Sequence, residues 1–533
     1  MPQIQNLQTP QKKPASQFIA KTAVRQASKK CAMFLIGLLA VSIAVAKVDV
    51  NNESLLIRNA KIISGDNPQV SVKQDLLIRN GRILAIGKNL GHANKQIDAR
   101  GQYLIPGLID THVHLDGVPG YAGDNPKDEA MLSETKQQIP RSYLYFGFTT
   151  VLDLAGDDGS IVKWNAQALA PKAYFCAPVI IPNGYPASWL DKDAQFTSPS
   201  AQYMLFDSQQ PNVHPASFLR EAHTPQAVVE LAKKNGANCI KVFYETGFGP
   251  KKNLPVPSVA LIQAVVEQAK KLGLPVYLHG NSQEAYEFAL KAGVSTLVHG
   301  MWHETKNTAK LDNLRRTEQM ALEIVKAGIS IQPTIQVLYG EQEVFNPAFF
   351  KDPKVLHAIP LKMRQWYQSD AGQWMKNILA EEFPPTLTNP LDLYAAVKTA
   401  YDKPLSTVRR MTSQLSKDGA HLLFGSDTPS GPFYSQFPGV NGRWEMDRWL
   451  ETGLSLTNLF TAMTIDNARA LGVEKSLGSV QVGMQANLLL LKDNPLSTVS
   501  AYDTIQQVIL NGKAHERKIF SAEKISTERA ASD

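Results

Sequence analysis

Five side chains able to hold a metal ion, and one lysine, stand in or just after apolar runs of this chain. His112 and His114 are one residue apart in "PGLIDTHVHLDG", His279 closes "PVYLHG", and His299 closes "STLVHG". Asp427 stands in "FGSDTP" and Lys241 in "NCIKVFYE". Residues i and i+2 of a strand share a face, so His112 and His114 point the same way. Four imidazoles and a carboxylate form a nitrogen–oxygen donor set suited to Zn²⁺ and tolerant of other divalent ions. Singly, each residue has an ordinary reading. A lone histidine is a hydrogen-bonded core residue, Asp427 caps a helix, and Lys241 snorkels or pairs with Glu245. Together they would be costly to bury without a shared partner, and one divalent centre accounts for all of them. Such an ion lowers the pKa of water to about 7 and supplies hydroxide.

These residues converge only if the strands that carry them do. Eight short apolar runs recur between residues 102 and 427, the first "QYLIPGLID" and the last "HLLFGSD". Helical patterns such as "VPSVALIQAVVEQAKKLG" and "NSQEAYEFALKAG" separate several of them. Repeated strand–helix units point to an α/β fold, a (β/α)8 TIM-like barrel, whose strand C-termini open at one mouth. A doubly wound open sheet is the alternative. Outside this region the chain reads as β-hairpins. "LLIRNAKIIS" and "DLLIRNGRILAIG" share the string LLIRN, and the second carries the turn signal Asn80-Gly81. "GSVQVGMQANLLLLK" and "IQQVILNGK" have the same short-strand character near the other end.

The domain reading is therefore a barrel over 106–477 and a composite β-sandwich domain from 47–105 and 478–517, with a flexible tail over 518–533. Two stretches, 184–223 and 337–415, are too long for plain barrel connections; their aromatic content suits lids over a site.

Residues 1–46 read as a signal peptide: a basic stretch, the apolar run "CAMFLIGLLAVSIAVA", and a closing Ala44-Val45-Ala46. The expected location is periplasmic or secreted, with membrane contact only through this segment; an uncleaved anchor formed by residues 31–46 is the alternative. The formal charge of +7 includes six Lys and Arg from this leader and falls to +1 without them. A nucleic-acid partner is therefore not expected. Beyond the leader only Cys176 and Cys239 remain. They read as two buried thiols, with a bridge between neighbouring strands left open.

The chain resembles the metal-dependent amidohydrolase superfamily over nearly all of its length beyond the leader. "LIPGLIDTHVHL" is similar to the family's first-strand motif, "LHG" and "LVHG" to its fifth- and sixth-strand ligands, and "FGSDTP" to its eighth-strand acid. Within the family it looks closest to the imidazolonepropionase-like branch that includes Xaa-Pro dipeptidases. There "GANCIKVFYE" resembles a fourth-strand motif whose lysine is carboxylated. The resemblance implies that His112, His114 and Asp427 hold one metal, expected to be zinc, that His279 and His299 hold a second, and that Asp427 takes the proton of the attacking hydroxide and returns one to the leaving nitrogen. Carboxylated Lys241 would bridge the two metals. It departs from the family pattern at Tyr277, Val298 and Asn487. The implied reaction is hydrolysis of an amide, cyclic amide or peptide-like C–N bond in a small-molecule or dipeptide-like substrate. A mononuclear deaminase or imidazolonepropionase-like enzyme is the alternative, and a non-catalytic metal-binding or interaction protein is the alternative of another class. His303, Trp302, Tyr339 and Tyr244 are the candidate substrate contacts, being near strand ends. Homo-oligomerisation is left open.

Overall fold

A computed structural model describes residues 54–525, apart from 124, 250 and 305–309. The leader over 1–46 lies outside the described residues. Among those described, no helix is long and apolar enough to cross a membrane.

The barrel strands are β6 (Leu108–Val113), β7 (Phe148–Asp153), β8 (Lys172–Pro178), β9 (Cys239–Phe243), β10 (Val276–His279), β11 (Thr296–Val298) and β12 (Ser330–Gln332), after the five strands of the sheet described below. They form one parallel sheet in sequence order. Residues 422–428 take the eighth place without forming a regular strand. Leu422 bridges Ile331 of β12, and Thr428 bridges Val113 of β6. Five backbone hydrogen bonds seal the seam: Ile331 N to His421 O, Leu423 N to Ile331 O, Thr111 N to Phe424 O, Asp427 N to His112 O, and His114 N to Thr428 O. The sheet is thereby closed, as expected for a barrel rather than an open doubly wound sheet.

Parallel strands covered on both faces must be apolar throughout. Every residue of β6, β7, β9, β10 and β11 is buried. Inside the cylinder, Ile109, Leu152, Cys176, Cys239, Tyr277 and Val298 share one apolar cluster, one from each of six successive strands. The two-residue period then places Lys241 and His279 on the same face as Cys239 and Tyr277, one layer nearer the mouth. Two departures from the family pattern, Tyr277 and Val298, thus belong to the layer beneath the site. The cysteines correct the sequence reading of free thiols. Cys176 and Cys239 are register partners on adjacent strands, with Cα atoms 4.4 Å apart, and form a disulfide.

The second sheet takes strands from both sides of the barrel in sequence: β1 (Ser54–Ile62), β2 (Lys73–Arg79), β3 (Arg82–Gly87), β4 (Lys95–Asp98), β5 (Tyr103–Pro106), β13 (Leu488–Leu491), β14 (Ile505–Leu510) and β15 (Lys513–Glu516). All eight belong to one hydrogen-bonded sheet. β1 pairs with β2 along one edge; along the other it pairs first with β4 and then with β5. Asn80 and Gly81 both take positive φ, 50° and 73°, at the β2–β3 turn, the geometry a two-residue hairpin needs. Residues 518–525 differ from the expected loose tail. Phe520 is buried in the main core, and the Gln138 side chain donates to its carbonyl at 2.9 Å.

Candidate metal centre

The His112, His114 and Asp427 side chains each offer a donor atom, all within 4.8 Å of one another. Asp427 Oδ1 lies 3.1 Å from His112 Nε2 and 3.3 Å from His114 Nε2. Its other oxygen lies 3.6 Å from His299 Nδ1. His299 Nε2 in turn meets His279 Nδ1 at 2.8 Å. Four histidines from three strand ends and the acid from the eighth segment thus form one chain of contacts. Lys241 lines the same cavity, of about 430 Å³.

Backbone geometry explains how residues out of phase with the strands arrive there. β6 is irregular in its pairing with β7 between Asp110 and Val113. His299 follows β11 at φ 85°, and Asp427 sits at φ 51°. Positive φ is uncommon for residues with a Cβ, and such outliers cluster at functional sites. Gly425 makes room beside the first strand: a Cβ there would lie 2.7 Å from the Cβ of His112.

Further partners orient the imidazoles. Asp153, at the end of β7, approaches His114 Nδ1 at 3.7 Å and is itself held by the amides of Leu115 and Ala155. Glu245 lies 3.4 Å from His279 Nε2 and accepts from the Asn281 side chain at 3.1 Å and Gly247 N at 2.7 Å. Thr334 Oγ1 meets His299 Nδ1 at 2.9 Å, and the ring of Tyr185 stacks on His279 at 4.7 Å. Carboxylate and hydroxyl partners on the outer nitrogen of a histidine fix its tautomer and orientation toward a metal. None of these partners was named from the sequence as a site residue. The only signal for Asp153 is that, like the histidines, it ends an apolar run, "TTVLD".

Burial dominates the protonation states. It pushes His112 down to about 3 against the opposing charge of Asp427, and it lowers His279 and His299. These three imidazoles are therefore neutral near pH 7, the form that donates a lone pair to a metal. Burial also opposes ionisation of Asp427, but the His112 ring, which becomes charged only in strong acid, and hydrogen bonds from His112 and His114 outweigh it and hold the carboxyl well below its usual range. For His114 burial is likewise outweighed, here by Asp153 and Asp427, and the group rises to about 10. Lys241 is pushed down to about 7 by burial, against the pull of Asp427. Three neutral imidazoles beside an ionised carboxylate are a donor set for a divalent cation; His114, held as a cation by the two carboxylates, would release its proton on binding one, so the residues fit such an ion.

The four expected substrate contacts do not line the cavity. Trp302 comes nearest, its ring 5.5 Å from that of His299. His303 pairs by backbone with Ser282. Tyr244 packs on Phe288 at 4.9 Å. The Tyr339 hydroxyl donates to Glu451 at 2.8 Å, and its ring lies under the Arg448 guanidinium at 3.8 Å. The two insertions act on the site in different ways. Residues 184–223 contribute Tyr185 and Pro186 to the cavity wall. Residues 337–415 brace the loop that follows His114: the Tyr367 hydroxyl donates to Pro119 O, and the Trp374 indole donates to Gly120 O at 2.9 Å.

Comparison with known proteins agrees with this arrangement. Two models, each described as amidohydrolase family, match residues 103–315 and 394–514. The chain is 29% identical to a D-hydantoinase of Ralstonia pickettii over 120 residues, which are 21% of this chain and 24% of that enzyme. It is 26% identical to a dihydroorotase of Endomicrobium trichonymphae over 254 residues, 47% of this chain and 45% of that enzyme. The matches thus span from a quarter to less than half of these relatives. The fold is similar to that of a Xaa-Pro dipeptidase crystallised with methionine in its active site, at TM-score 0.59 and 20% identity, covering 87% of this chain and all of that one. With the paired histidines of the first barrel strand, the fifth- and sixth-strand histidines and the eighth-segment aspartate gathered at one mouth, the chain belongs to the amidohydrolase family.

Proposed function

We propose that this protein is a metal-dependent hydrolase of an amide, cyclic amide or peptide-like C–N bond. The observation that carries the reading is the buried convergence of His112, His114 and Asp427 at a cavity also lined by Lys241, His279 and His299. His112, His114 and Asp427 would hold one divalent cation, and His279 and His299 a second. Lys241, as a carbamate, would be shared between them. Zinc suits this donor set. Bound cations would supply Lewis acidity toward the substrate carbonyl and make water acidic near neutral pH.

The chain's own groups manage position and protons. Asp427 is ionised and lies within reach of three imidazoles, so it can take a proton from the attacking water and return one to the leaving nitrogen. The Val118–Tyr121 loop, Tyr185 and Phe243 wall the cavity and limit water around the reacting carbonyl.

Location outside the cytoplasm is part of the proposal. It is supported by the leader's composition and by the Cys176–Cys239 bridge, since disulfides persist in oxidising compartments. N-terminal sequencing of the exported protein tests it; an intact leader on all of the protein would count against cleavage.

Metal analysis combined with an amide-hydrolysis screen tests the central claim. Two ions per chain, together with hydrolysis of dipeptides, N-acyl amino acids or cyclic amides, is the expected result. Lys241→Ala should reduce metal content and abolish turnover. A single ion per chain, unchanged in Lys241→Ala, would favour the mononuclear deaminase-like reading. A chain free of metal and inert toward amides would end both.

A further inference from the structure

Setting aside the metal-holding group, the catalytic cavity has an uneven charge. Among the described residues its wall carries one other ionisable acid or base, Asp116, exposed two residues beyond His114. Among the described residues no arginine lines it, and the lysine and histidines that do are those already placed at the metal centre. The remaining wall is mainly apolar and aromatic, with Tyr121, Tyr185 and Phe243 and several prolines; Ser430 supplies a hydroxyl. Phe243 and Tyr185 are rigidly set, their rings 5.7 Å apart and edge to face.

This composition bears on the substrate. A carboxylate beside the scissile bond would lose water against aromatic and proline surface, with no cationic side chain to replace it. At the mouth it would also meet Asp116, a charge of its own sign. An uncharged group bears a far smaller desolvation cost on the same surface, and Ser430 offers it a hydroxyl. An amine finds a counter-ion in Asp116. Specificity built from such a repulsive element is a difference in affinity between otherwise matched ligands.

We propose that the site selects amides that carry no carboxylate beside the scissile bond, uncharged or amine-bearing, and that Asp116 sets this preference. The proposal rests on the amide-hydrolase reading above and narrows its substrate class. It sets this cavity apart from one built to grip the free C-terminus of a dipeptide.

The test uses two ligands of one shape, 2-acetamidobenzamide and 2-acetamidobenzoate, in which the varied group stands beside the scissile anilide, with the full zinc-loaded protein. Their binding is measured by calorimetry and their hydrolysis by chromatography. The uncharged ligand is expected to bind about tenfold more tightly. Asp116→Asn should shrink that ratio, and Asp116→Lys should reverse it. Because Asp116 is exposed, both variants are expected to keep the far-ultraviolet circular dichroism spectrum of the parent. Tighter binding of the benzoate by the parent protein would overturn the proposal. So would a ratio that neither variant moves, or failure of both ligands to bind at millimolar concentration. The hydrolase reading fails separately: the charge preference is present in binding, but a broad amide panel gives no turnover.

Discussion

Glu245 and His279 face one another across the end of the barrel, the carboxylate 3.4 Å from Nε2 of a ring whose Nδ1 lies 2.8 Å from His299. One nitrogen of His279 is thus committed to an acid and the other to the cavity. Asn281 and Gly247 hold the carboxylate in place. This is a carboxylate–histidine pair of the kind that orients metal ligands. Glu245→Gln retains the size of the side chain and removes its charge. Metal affinity at the His279–His299 pair is expected to fall about 10–100-fold, read by competition with a chromophoric chelator. Unchanged affinity would reduce Glu245 to a packing residue.

The proposed reaction gives Asp427 two duties, and the Asn variant would separate them. Asp427→Asn keeps an oxygen donor near His112 and His114 but cannot accept a proton from water. Turnover is expected to fall by about 10²–10⁴-fold, while most of the bound metal is retained. Activity assays and metal analysis on one preparation check this. Retained turnover would move the proton-transfer role elsewhere.

Gly425 is a steric requirement of the centre. Its substituent would overlap His112 Cβ at 2.7 Å and approach the Gln332 side chain at 3.2 Å. The Gln332 amide is committed to the Thr111 carbonyl and hydroxyl, so it has little freedom to move aside. Gly425→Ala is expected to cost about 1–3 kcal/mol and to weaken metal binding by displacing His112. Thermal denaturation and metal titration read the two effects.

Glu445 predicts a pH dependence of stability. Its buried carboxylate accepts from Ile335 N, Gln336 N and the Trp449 indole. Burial nevertheless outweighs these donors and pushes the carboxyl up to about 8, from an ordinary 4.5. Between those values the unfolded chain has released a proton that the folded chain retains. Its contribution to stability is therefore greatest below about 4.5 and is lost as pH rises toward about 8. Glu445→Gln, which is neutral throughout, should flatten this part of the stability profile in denaturant titrations run from pH 5 to 8. An identical slope in the variant would refute the assignment.

The ligands were legible in the sequence because parallel barrel strands must be apolar, and a histidine or aspartate at the end of such a run stands out. Convergence then follows from topology, since every strand C-terminus opens at the same mouth. The eight runs, the hairpins that form the second sheet and the metal-type residues could all be read along the chain.

The partners of those residues could not, because they depend on register and on local backbone departures. Asp153, Glu245 and Thr334 meet their histidines across 34 to 39 residues of chain. His299 reaches His279 from a positive-φ position that strand periodicity does not predict. Cys176 and Cys239 form a bridge only because the β8–β9 register places them opposite one another. Tyr339 and Tyr244 looked near the site because they follow strands, but side-chain direction carried them to Glu451 and Phe288. Residue type and run length declare what chemistry a chain can carry; which atoms meet is decided by long-range pairing, which no local stretch contains.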